Sequence, residues 1–150
     1  WIALSRAEGK LQLLPERASV GYNRSMVDVP PSLRTWFVIH CVVDLLFAAP
    51  LFIAPVTTMR MFGWSAVDPF TVRLVAAALV GIGVESYLGR NGTLEQFRGM
   101  LRLKVLWSLT ANLGIALSIR DGAPPMAWLF QAIFLGFSAL WCTYAVRLRR

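Results

Sequence analysis

The stretch Thr35–Ala54, TWFVIHCVVDLLFAAPLFIA, decides the fold. Its 20 residues, eleven of them Leu, Ile, Val or Phe, make about 30 Å of helix, the thickness of a hydrocarbon core. Ser32, behind Pro30 and Pro31, is placed to cap this helix, while Pro50 is expected to bend it and Pro55 to end it. The apolar run is too long for a signal peptide and carries Asp44 at its middle, so a retained anchor is the reading.

Three similar runs follow. Asp68 and Pro69 supply an N-cap and a first-turn proline for a span over residues 70–88, closed by Gly89. Thr93 and Gln96 have capping-box spacing, so a helix is expected to begin at the membrane surface and run into a third span over 103–119. Asp121 and Gly122 mark a turn, and Pro124 and Pro125 lead into a fourth span over 126–146 that ends in Arg147, Arg149 and Arg150. Between the first two spans, Met59, Met61, Phe62 and Trp64 beside Arg60 suit a short segment in the headgroup layer. The expected architecture is all-α, an integral-membrane up-down four-helix bundle forming one domain over 34–150 behind a tail over 1–33. Trp1 is not an initiator, and Met26 is the expected native start. The spacing of Trp1, Leu4, Leu11 and Leu14 leaves room for an interfacial helix before it.

Composition agrees with lipid as the solvent. Hydrophobic residues make up 57% and charged residues only 15%, where soluble domains carry about a quarter charged. The net charge of +7 sits beside apolar runs, without the aromatic interleaving of a nucleic-acid surface, so anionic headgroups are the expected counter-ions and no nucleic-acid partner is expected. Placing both termini and the 89–104 region on one side gives that side twelve of the lysines and arginines and leaves three, Arg60, Arg73 and Arg120, on the other. Both termini are therefore expected in the cytoplasm. Cys41 and Cys142 fall inside spans and read as small packing residues.

The polar residues within the spans are the candidates for function. Asp44 costs about 2.5–3.5 kcal/mol to insert, which the apolar residues of its span offset at roughly 0.3–0.6 each, so its carboxyl should turn inward. His40 lies one turn away on the same face, and the two are expected to satisfy each other; the sharper alternatives are a proton site or a ligand contact. Ala77, Gly81 and Glu85 recur every four residues on the second span and read as a close-packing stripe leading to a carboxylate. Lys104, Ser108 and Asn112 recur likewise on the third. Antiparallel packing then gathers His40, Asp44, Glu85, Lys104, Ser108, Asn112 and Tyr144 into the half of the bundle nearest the termini, with a Glu85–Lys104 ion pair as the most specific expectation. Arg73 is expected to extend to headgroups.

The approach Phe62-Gly63 and Asp68-Pro69, the run from Arg73-Leu74 to Gly81-Ile82-Gly83, the exit Gly89-Arg90, Lys104 with Trp107, and Trp141 with Tyr144 together resemble DoxX-like proteins and related four-span bacterial families, over about Thr35 to Leu148. Some members of those families look like accessory subunits of membrane oxidoreductases, notably quinone-linked ones, so the resemblance implies an accessory or assembly role. It carries over no catalytic residue. Phosphate-binding loops, metal clusters and nucleophile elbows are missing from the sequence. With that resemblance the reading is a non-enzymatic multi-pass protein of a bacterial inner membrane with no cofactor, associating with itself or a larger membrane complex. The alternatives are a small proton-linked transporter using Asp44 or Glu85, and a quinone- or haem-associated redox subunit contacting His40.

Overall fold

The computed structural model describes residues 29–149, all helical elements and connections without strands. The expectations for Met26 and for an interfacial helix before it lie outside the described residues. Helix α1 spans Pro31–Ile53, the short α2 Pro55–Met61, α3 Pro69–Leu88, α4 Leu94–Arg120 and α5 Met126–Arg147, with one 3₁₀ turn at Gly89–Asn91. Helices α1, α3, α4 and α5 are each long and apolar enough to cross a bilayer, which makes the chain a multi-pass membrane protein. Their outward faces carry large apolar side chains such as Leu46, Phe70, Leu106 and Leu113, a surface that lipid can cover and water cannot cover cheaply.

Local chemistry sets the helix boundaries. Asp68 caps α3 by accepting from the backbone N–H groups of Phe70 and Thr71 and from the Thr71 hydroxyl. These bonds, the hydroxyl's foremost, hold its exposed carboxyl below the usual aspartate range. At α4 both halves of the capping box form: Thr93 Oγ accepts from Gln96 N at 3.4 Å, and Gln96 Oε1 accepts from Thr93 N at 2.7 Å. One expected boundary is corrected. Helix α1 begins at Pro31 with Pro30 in the cap position, so Ser32 lies inside the first turn and caps nothing. Proline there loses no hydrogen bond, because the first-turn N–H groups have no intrahelical acceptor, and its fixed φ starts the helix early. Pro50 sits inside α1 as expected, and its carbonyl accepts from Ala54 N and from the Thr58 hydroxyl at 3.0 Å, which ties α2 back across the break.

The spans form two antiparallel hairpins, α1 on α3 and α4 on α5. In the half nearest the described termini the hairpins meet in a packed core of Leu33, Phe37, Phe97, Leu101, Trp141 and their neighbours. The opposite half holds only a small cluster of Ala48, Leu51 and Ala76. The face of α3 that meets α1 carries Ala76, Gly83 and Ser86, and the expected stripe is corrected accordingly: Ala77, Gly81 and Glu85 are all exposed. Spacing of seven from Ala76 to Gly83 keeps small residues on one helix face across two turns, and that face won. At Gly83 the approach is so close that a Cβ would lie 2.8 Å from the Cβ of Asp44.

Two outcomes follow from these contacts. Gly83→Ala should destabilise the protein by about 1–3 kcal/mol in detergent unfolding, through overpacking against α1, while Gly81→Ala, whose Cβ would meet nothing within 4 Å, should change little. Because the Asp68 carboxyl is held low, its cap is present above the ordinary aspartate range and is lost as pH falls through the depressed value. Hydrogen exchange at Phe70 and Thr71 should accelerate over that acid window beyond its intrinsic pH dependence, and Asp68→Asn should remove that excess.

Candidate functional site

Three of the residues singled out in the sequence converge where the two hairpins meet. His40 and Asp44 project from α1 one turn apart, with Nδ1 of His40 2.8 Å from Oδ2 of Asp44. From α4, Nζ of Lys104 reaches the same Nδ1 at 3.1 Å and donates to Ser86 Oγ of α3 at 2.6 Å. Lys104 is only 3% exposed, His40 7% and Asp44 6%, so all three side chains are buried between the hairpins. Aromatic rings close around it: Nζ of Lys104 lies 5.0 Å from the Phe37 centroid and 4.9 Å from that of Trp141, while Phe137 and Trp141 meet the His40 ring edge-on. Contacts of a cation with aromatic faces replace part of the hydration that Lys104 gives up.

The geometry imposes a choice on His40. A ring nitrogen holds one proton or one lone pair, so Nδ1 either accepts from Lys104 or donates to Asp44. When it serves Lys104, the buried Oδ2 of Asp44 has no aligned hydrogen-bond donor. Proton position and hydrogen-bond pattern are thus coupled through one atom.

Beside the cluster lies a cavity of about 420 Å³, within the roughly 300–1,000 Å³ usual for small-molecule sites. Along α4 it runs from Lys104 past Trp107, Ala111 and Gly114 to Ser118, about 21 Å at the rise of an α-helix. His40, Asp44, Lys104 and Ser108 line one end, and the remaining wall is dominated by apolar and aromatic side chains, among them Phe47, Phe62, Trp64, Phe130 and Phe134. Exposed Val75 of α3 and Gly114 of α4 lie along its margin, so it opens between the hairpins toward lipid.

The other four sequence candidates fall elsewhere. Ser108 lines the polar end of the cavity, but its hydroxyl donates to the Val105 carbonyl of its own helix. Asn112 belongs to a separate ladder between α4 and α5, donating to Ser138 Oγ at 2.7 Å and accepting from Gln131 Nε2 at 2.7 Å. Tyr144 donates to Ser32 Oγ at 2.9 Å and ties the end of α5 to the start of α1. Glu85 is exposed, and the expected Glu85–Lys104 ion pair does not form: the ammonium has Ser86 and His40 as its partners. One residue along a helix is 100° of rotation, and Ser86 faces inward where Glu85 faces out. Ser86, Gln131 and Ser138 are the polar residues that sequence reasoning missed. The signal for Ser86 was its phase with Gly83, and the signal for the other two was their seven-residue separation on one face of α5. Arg73, exposed, donates from Nε to the carbonyl of Phe52 near the end of α1.

No family model, curated protein or solved structure matches the chain. Any functional reading therefore stands on this geometry and on the residues themselves.

The ladder sets a stability expectation. Removing Asn112 as Asn112→Leu should cost about 0.6–1.7 kcal/mol in SDS-induced unfolding, the range for interhelical hydrogen bonds in lipid. Glu85→Gln, on the exposed face, should leave the unfolding midpoint where it is.

Proposed function

We propose that this protein is a non-enzymatic membrane subunit that holds a lipid-soluble molecule with a polar head between its two hairpins, working within a larger membrane assembly. The observation that carries this reading is the cavity itself. It is long and mostly apolar, and its ionisable groups, His40, Asp44 and Lys104, are gathered at one end, the pattern an amphiphile needs to be bound in one orientation. The DoxX-like resemblance supports the accessory role. Exposed Arg102, Arg147 and Arg149 at the rim that carries both described termini support a cytoplasmic placement of that rim in a bacterial inner membrane.

A second reading has a specific observation behind it. Asp44 Oδ2 is buried without an aligned donor, which suits a proton-linked carrier using Asp44 as its titrating group. Glu85, facing away from the cluster, has no part in it. In that case Asp44→Asn should abolish proton-coupled uptake in vesicles while leaving the folded protein intact.

The binding reading is tested by extracting the protein with its surrounding lipid in polymer-bounded particles and identifying co-purified small molecules by mass spectrometry. A lipophilic species should accompany the wild type and fall about tenfold in Ala111→Trp, which fills the cavity; identical profiles for the two would overturn the reading. The placement is tested separately. A green fluorescent protein fused after Arg150 should fluoresce, and alkaline phosphatase inserted after Gly122 should be active.

A further inference from the structure

We infer that Lys104 is a covalent attachment site, forming an imine with a lipid-soluble, unsaturated aldehyde whose tail occupies the cavity. This rests on the cavity reading above and adds the chemistry of its polar end. Of the chain's 15 basic residues, 13 are arginine; the two lysines are Lys10 and Lys104. An arginine could supply charge at this depth, but only an amine can condense with a carbonyl. Lys104 lines the end of the elongated cavity, so the carbonyl that reaches it is the terminal group of the ligand, which is an aldehyde and not an internal ketone. The aromatic walls, with Phe137 and Trp141 stacked 5.8 Å apart near the amine, favour a flat conjugated chain next to the reacting carbon.

The cluster also contains the means of freeing the amine. Lys104 Nζ lies 3.1 Å from His40 Nδ1, which lies 2.8 Å from Asp44 Oδ2. A proton passing from Nζ to Nδ1 is then held against Asp44, and the same nitrogen has exchanged one partner for the other. That leaves Lys104 as a neutral amine, oriented by Ser86, beside an imidazolium–carboxylate pair, an arrangement that activates a lysine nucleophile. The Nζ lone pair adds to the aldehyde carbon, and the carbonyl oxygen takes the proton from His40. His40, neutral again, takes a second proton from the nitrogen and delivers it to the hydroxyl, which leaves as water, giving a protonated imine, C=NH+, beside the Asp44 carboxylate. Amine and aldehyde give imine and water, with no change in oxidation state and no co-reactant.

The test uses the full chain in phosphatidylcholine vesicles, which contain no reactive lipid amine, with all-trans-retinal as the probe. After borohydride reduction and digestion, mass spectrometry should place one retinyl group on Lys104, with labelling of Lys10 about tenfold lower or less, and K104R should form no adduct at that position. His40→Gln should slow imine formation about tenfold more than it weakens binding of retinol, the unreactive alcohol. Labelling of Lys104 no faster than Lys10, or an equal effect of His40→Gln on the two probes, would overturn the inference or its proton route respectively. Wild-type protein that takes up retinol but leaves Lys104 unmodified by retinal would remove the imine and keep the cavity reading. Failure to bind retinol as well would remove both.

Discussion

Hydrocarbon offers no hydrogen bonds, and the arrangement of this protein's interior follows from that constraint. Each polar side chain carried into the bilayer must find its partner within the chain. Hydroxyls such as those of Ser108, Thr110, Ser118 and Thr143 donate to carbonyls of their own helix, and the longer side chains reach across an interface. Lys104 uses Ser86 and His40, Asn112 uses Ser138 and Gln131, and Tyr144 uses Ser32. Asp44 Oδ2 and Gln131 Oε1 are the exceptions, and the donor nearest Asp44 is an atom that Lys104 also claims. The competition for one imidazole nitrogen is therefore the least satisfied feature of the interior and the most chemically capable one.

Much of the architecture was legible in the sequence. Span length, capping residues and turn prolines located four helices to within a few residues, because these signals are local and depend on backbone hydrogen bonding alone. Asp68 and Thr93 cap as their spacing dictates. Side-chain direction around a helix was harder. Ala77 and Gly81 on one face and Ala76, Gly83 and Ser86 on the true packing face are both rows of small residues, and in lipid an outward-facing row of Ala and Gly carries no polarity penalty to betray it. Water would have separated them; hydrocarbon does not.

The site was legible to the same depth. His40 and Asp44 could be paired because both lie on one helix a turn apart, and Lys104 could be brought to their level by counting residues from the membrane surface. Its partner across the interface depended on the rotation of α3, which no local signal sets. Asn112 was assigned to the same cluster on periodicity, yet it is two turns deeper than Lys104 and meets α5 instead. The cavity was not legible at all, since it arises from the separation of two hairpins between the packed core near the termini and the ring contacts of Phe130 at the far end.

That uneven meeting has a mechanical consequence. Every side-chain hydrogen bond between the hairpins described above, Tyr144 to Ser32 and Lys104 to His40 and Ser86, lies in the half nearest the termini. The far end is joined through ring contacts of Phe130 with Phe47, Phe62 and Trp64, and through Gly63 against Pro124. Directional bonds resist sliding and splaying, whereas ring faces tolerate both. The molecule is built as a clip, riveted at one jaw and merely touching at the other; on the binding reading proposed above, a long guest enters tail-last from the loose end and is gripped by its head.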